Sequence, residues 1–171
     1  MSVKISRYNY IKVDYEAGEP EAVARAAGNL VRDLRRVLDC CPEPPGNVPF
    51  HRITVGTLGV SEEICRKAEI GLLADEEGIP YKEAFLIQEK DGELLIAGSD
   101  RRGTVYGIYE FCERYLGVSP WYFFGDVPVR RKQEIFFPDG FTRTDRPSVE
   151  YRGIFINSEE ELEHWVQRYM G

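Results

Sequence analysis

Histidine, methionine and tryptophan are scarce in this sequence, at two of each in 171 residues. His51 and His164 lie far apart, and none of the four cysteines (Cys40, Cys41, Cys65 and Cys112) forms a CxxC pair. Spacing of this kind excludes the common zinc sites, and no other metal or cofactor is implied. Cys40 and Cys41 are adjacent and cannot bridge without strain. All four therefore read as small buried hydrophobes in a reducing compartment. Basic residues number 22 against 29 acidic ones, a net charge of −7. Nucleic acid is not an expected partner, because phosphate contacts need clustered Lys and Arg. No apolar run approaches the roughly 20 residues that cross a bilayer, so no membrane partner is expected. Residues Met1 to Asp14 lack the apolar centre of a signal peptide, and the expected location is cytoplasmic.

One further absence is local. The stretch GSDRRGTVYG, residues 98–107, follows the apolar run Leu94–Ala97. Two of its three glycines, Gly98 and Gly103, have the spacing of a phosphate-binding loop. That loop needs a lysine, but Thr104 stands in its place, and Val105 stands where the magnesium-binding hydroxyl belongs. The motif is therefore expected to serve packing rather than phosphate. Gly103 and Gly107 fall on one side of the helix that starts here. Glycine inside a helix costs about 1 kcal/mol against alanine, and close approach of helix to sheet is a reason to accept that.

The chain is 43% hydrophobic and 12% aromatic, which is ample for a packed core. Tyr8 to Asp14 reads as a strand and Pro20 to Leu38 as a helix whose stripe is Val23, Ala26, Ala27, Leu30, Leu34 and Leu38. CCPEPPGNVP, residues 40–49, is a loop. A strand over Arg52 to Leu58 and a helix from Ser61 to about Leu73 follow, with Ser61 as N-cap. Ala84 to Lys90 and Glu93 to Ala97 are strands joined by Asp91-Gly92, a strong hairpin signal. A helix over 101–116, capped by Ser99 or Asp100, ends at Gly117. Glu134 to Phe137 reads as a short strand, 138–147 as a linker, Val149 to Ile156 as a strand and Ser158 to Met170 as a helix. The adjacent hairpin makes the sheet mixed, so the class is α+β.

Four stretches come in a distinctive order: TVGTLGVSEEI (54–64), LLIAGSDRRGTVYGIYEF (94–111), GVSPWYFFGDVPV (117–129) and PSVEYRGIFIN (147–157). Together they resemble the amino-terminal part of glycoside hydrolase family 115, the xylan α-1,2-glucuronidases, over roughly residues 50–165. The resemblance implies a hydrolase of carbohydrate metabolism that removes glucuronic acid, or its 4-O-methyl form, from xylan. It implies an accessory domain over 1–147, similar to the one that precedes the barrel in β-hexosaminidases. The start of a catalytic (β/α)8 barrel would follow over 148–171, with YRGIFIN as its first strand. A barrel typically needs about 250 residues, so the chain is expected to be a truncated fragment, inactive alone. Its main catalytic carboxylates are expected beyond residue 171. The expected partners are glucuronoxylan or its oligosaccharides, the rest of the barrel, and a second copy meeting it through 149–156.

Asn157 and Glu159 are the candidate substrate-binding residues, since they match two positions of an Asn-Asp-Glu pattern in the family. Ser158 departs from its acidic middle position, which puts full activity in doubt. Glu159 has a second reading: Ser158 and Glu161 form a capping box, and Glu159 then complements the helix dipole. Arg101 and Arg102 suit a uronate carboxylate or an ion pair with an acid such as Asp100 or Asp126. Trp121, Tyr122, Phe123 and Phe124 suit sugar stacking or packing against the barrel. Two other functions compete: a stand-alone carbohydrate-binding or interaction module, and a nucleotide-binding domain. The unpaired β-α end argues against the first, and the missing lysine against the second.

Overall fold

The computed structural model describes residues 1–7, 9–39, 49–122 and 127–153, together with Glu160, Glu163, His164 and Gln167. In chain order the elements are β1 (Val3–Ser6), β2 (Tyr10–Asp14), α1 (Glu21–Leu38), β3 (Phe50–Thr57) and α2 (Glu62–Lys67). Then come β4 (Phe85–Lys90), β5 (Glu93–Gly98), α3 (Arg101–Phe111), β6 (Glu134–Phe137) and β7 (Thr142–Asp145).

The sheet grows from the hairpin. Asp91 and Gly92 have φ of 54° and 85°, the left-handed pair that a two-residue hairpin turn requires. The buried Glu89 side chain accepts the Gly92 N–H at 2.9 Å and the Gly140 N–H at 2.7 Å, so one carboxylate ties down two turns. β5 also pairs in parallel with β3, and β3 with β2, giving the order β2-β3-β5-β4-β7. The mixed α+β sheet is as the sequence implies. Ile53, Val55, Phe85, Ile87, Leu94 and Ile96 alternate onto the face that α1 and α3 cover. Leu86, Leu95 and Ala97 face the other way, against Ile64, Ala68 and Leu73. The stripe of α1 is buried as its spacing predicts, and Leu30 and Leu34, each fully buried, contribute about 1.5–3 kcal/mol apiece.

Five expectations change. The linker over 138–147 contains β7, which pairs antiparallel with the free edge of β4 from Gln88↔Thr142 to Phe85↔Asp145. β1, not anticipated, pairs antiparallel with β6. The helix from Ser61 stops at Lys67, because Ala68 turns extended (ψ 154°), and a 3-10 turn over Ile70–Leu73 carries Leu73 into the core. α3 gives way at Cys112 to a π turn ending on Gly117, whose φ is 76°. The described part of the strand expected over Val149 to Ile156, residues 149–153, is not strand. Its side of β4 is already taken by β7, and Arg152 bonds the Val149 and Glu150 carbonyls of its own segment. Of the helix expected over 158–170, Glu160, Glu163, His164 and Gln167 are helical, and the rest lies outside the described residues.

The GSDRRG turn is filled by its own chain. Asp100 caps α3, accepting the Gly103 N–H at 2.8 Å through Oδ1 and the Glu83 N–H at 2.8 Å through Oδ2. A Cβ on residue 103 would lie 2.1 Å from the Ala84 carbonyl oxygen, and one on residue 98 would lie 2.0 Å from the Thr104 nitrogen. At residue 107 it would meet Ile96 and Phe85 side chains at 3.0 Å. Both glycines of the helix thus serve close packing. Thr104, in the place of the phosphate-loop lysine, is fully buried. Its hydroxyl lies 2.8 Å from that of Thr57, which donates to the buried Glu19 carboxylate at 2.7 Å. The Thr104 side chain is thus committed to this buried hydrogen-bonded chain.

Behind α3 lies a less settled polar contact. Asp33 is buried in the face of α1, and its Oδ1 has no hydrogen-bond partner. Burial pushes its carboxyl above the ordinary range, opposed by the nearby Arg32 and by the Cys112 thiol that donates to it. Burial also pushes that thiol up, so it stays protonated.

Two consequences can be measured. Gly103→Ala should lose about 3 kcal/mol, because backbone must move, and Gly107→Leu about 1–3 kcal/mol. Gly107→Ala should be near neutral, its helix-propensity gain of about 1 kcal/mol offsetting flexible contacts. Urea denaturation orders the three. Asp33 holds its proton more tightly folded than unfolded. Its contribution is therefore fully present below the unfolded value near pH 4 and is lost as pH rises through the folded value. The stability difference between wild type and Asp33→Asn, followed by melting from about pH 4 to pH 7, should shift in favour of the variant.

Candidate functional site

The hydrogen-bond ladder of the hairpin runs one step past its strands. The Ser99 N–H donates to the Ala84 carbonyl at 2.9 Å, and the Ala84 N–H donates to the Ser99 hydroxyl at 2.9 Å. This brings Glu83, just before β4, beside the first turn of α3. Glu83 has φ of 59°, a left-handed backbone that costs a non-glycine residue about 1–2 kcal/mol. Asp100 holds its amide, and its side chain is only 5% exposed.

A buried carboxylate needs paired hydrogen-bond donors, and Glu83 has two guanidinium groups. Arg102 of α3 bonds Oε1 at 2.8 Å, and Arg152 bonds Oε2. Both arginines also donate to the Tyr106 hydroxyl, at 2.9 and 3.1 Å. Arg102, in the first turn, opposes the helix dipole, and Glu83 offsets that. An acid partner for Arg102 is thus present, but it is Glu83; Asp100 is occupied by backbone amides and Asp126 lies outside the described residues. Arg101 is exposed.

An open groove of about 580 Å³ lies alongside, lined by Phe85, Tyr106, Asp145, Arg146, Val149 and Arg152 among others. Arg146 stacks over Tyr81, 3.8 Å from the ring centroid. The carboxylates near this groove, Glu83 and Asp145, are both engaged by arginine, the latter by Arg143 at 3.3 Å. Among the described residues no group of three or more His, Cys, Asp or Glu could hold a metal. No helix among them is long and apolar enough to cross a membrane.

Asn157 and Glu159 lie outside the described residues, as do Phe123, Phe124, Cys40 and Cys41. Trp121 is 56% exposed. Tyr122 packs on the main core and accepts a hydrogen bond from Arg36 at 3.2 Å. The aromatic run is thus partly anchored to this body. Cys112 is buried and Cys65 half-buried. Glu83 went unnoticed because it precedes an apolar strand without periodic context. A glutamate directly before Ala-Phe-Leu-Ile was the available signal.

No family model matches the chain. A probable alpha-glucuronidase A of Aspergillus clavatus is 26% identical over 141 residues, which are 81% of this chain and 14% of that protein. A solved structure, of a family GH115 4-O-methyl-alpha-glucuronidase with specificity for decorated arabinogalactans, is 34% identical. It superposes with a TM-score of 0.75 over 90% of this chain and 20% of its own. The chain thus spans about a seventh to a fifth of the length of these relatives. With this identity carried on the same fold across nine-tenths of its residues, the chain belongs to glycoside hydrolase family 115.

Proposed function

We propose that the chain is the accessory portion of an enzyme that removes glucuronic acid or 4-O-methylglucuronic acid side chains from glucuronoxylan. Residues 1–147 form the accessory domain, and 148–171 open the catalytic (β/α)8 barrel. The observation that supports this most is the 34% identity to the solved 4-O-methyl-alpha-glucuronidase. A chemical argument points the same way. Cleaving a glycosidic bond takes two carboxyl groups, one on each side of it, at a separation of about 5–5.5 Å or 6.5–9.5 Å. Asp145, which lines the groove, and the neighbouring Glu83 are held by arginine instead. Asn157 and Glu159 are the substrate contacts of this reading, at the carboxyl end of the first barrel strand, where barrel enzymes place their sites.

The substrate polymer has a second candidate, because the solved relative is specific for decorated arabinogalactans. Both polymers therefore belong in the assay. The purified 171-residue chain should release no uronic acid from either. The reading frame downstream of Gly171 should continue into a barrel whose product releases it, and Glu159→Gln in that product should cut release at least about a hundredfold. Turnover by the chain alone, abolished by Glu159→Gln, would overturn the proposal.

A further inference from the structure

Two adjacent residues, Lys82 and Glu83, face two others, Glu150 and Arg152, with opposite charges at each point. Lys82 bonds Glu150 at 2.7 Å, and Glu83 bonds Arg152. The backbone bends at Glu150, and Glu150 and Arg152 both reach the body. Tyr151 between them points away and is 88% exposed. The Arg152 guanidinium is further held by the Tyr106 hydroxyl on α3. Glu83 keeps Arg102 as a second partner whether or not Arg152 is present. Its left-handed backbone and buried side chain mark it as held in place by the body, ready for the segment.

We propose that Lys82 and Glu83 form a two-point docking edge that fixes the register and direction of the chain leaving β7. They are positioning residues. On the functional reading above, that chain leads into the catalytic barrel, and the edge sets where it leaves the accessory domain. The order of charges gives the specificity. Slipping the segment by two residues would place Arg152 opposite Lys82, and like charges facing each other disfavour that register. Arg152, which the edge grips, precedes Asn157 by five residues and Glu159 by seven. The edge would act on those residues only through the chain between.

The test is limited chymotryptic cleavage after Tyr151 in the 171-residue chain, with the cut identified by mass spectrometry and melting temperature measured in parallel. Arg152→Gln removes the Glu83 contact while leaving Glu83 bonded to Arg102. It should speed cleavage about tenfold, the size expected for one hydrogen bond to a charged group, with little change in melting. Lys82→Glu should speed it about twofold to fivefold, as for an exposed pair. The charge swap Lys82→Glu with Glu150→Lys should restore the slow rate. Unchanged cleavage in both single variants, or a swap that fails to restore protection, overturns the docking edge. Cleavage is read without any glycosidase activity. A failed docking edge therefore leaves the family reading intact, and a downstream frame lacking a barrel overturns that reading while leaving the edge.

Discussion

The body depends on how closely α3 lies on the hairpin. The Ala84 carbonyl oxygen occupies the space that a side chain at position 103 would need. That approach sets the height of the whole first turn. It lets one carboxylate, Asp100, serve both the helix and the strand edge at 2.8 Å each. It also presses Thr104 against Thr57, so that the polar chain to Glu19 closes by direct hydrogen bonds. A helix raised by one methyl group would break all three contacts together. Interiors packed at crystal-like density do not absorb such a shift gradually.

The same closeness explains why a phosphate-loop spacing occurs here without that function. Both uses demand glycine where backbone meets something at short range. In a phosphate loop that neighbour is the ligand; in this chain it is the preceding strand. Family membership then says whose scaffold this is, while the charged residues beside α3 are spent on the protein itself.

Much of this was legible in the sequence. Asp91-Gly92 specified its hairpin, the stripe from Val23 to Leu38 specified α1, and the cost of Gly103 and Gly107 pointed to close packing. What was missed shares a cause. β7 reads Thr-Arg-Thr-Asp, and it is a strand only because β4 offers an open edge. β1 has four residues and is defined by its pairing with β6. Leu73 carries the helical spacing onward from α2, but a 3-10 turn delivers it to the core by another route. An acid for Arg102 was sought among its chain neighbours. It comes instead from residue 83, which only the antiparallel ladder brings near. Long-range pairing, unlike local preference, leaves little trace in a short window of sequence.

β7 also governs what the sheet can become. It is four residues long, polar and largely exposed, with Arg143 and Asp145 on it, and Pro147 follows within two residues. Short charged strands are how sheets avoid recruiting other chains. With β7 in place, the long apolar edge of β4 is never offered to a neighbour. The pairing edge of the sheet is thus closed by the chain's own polar strand.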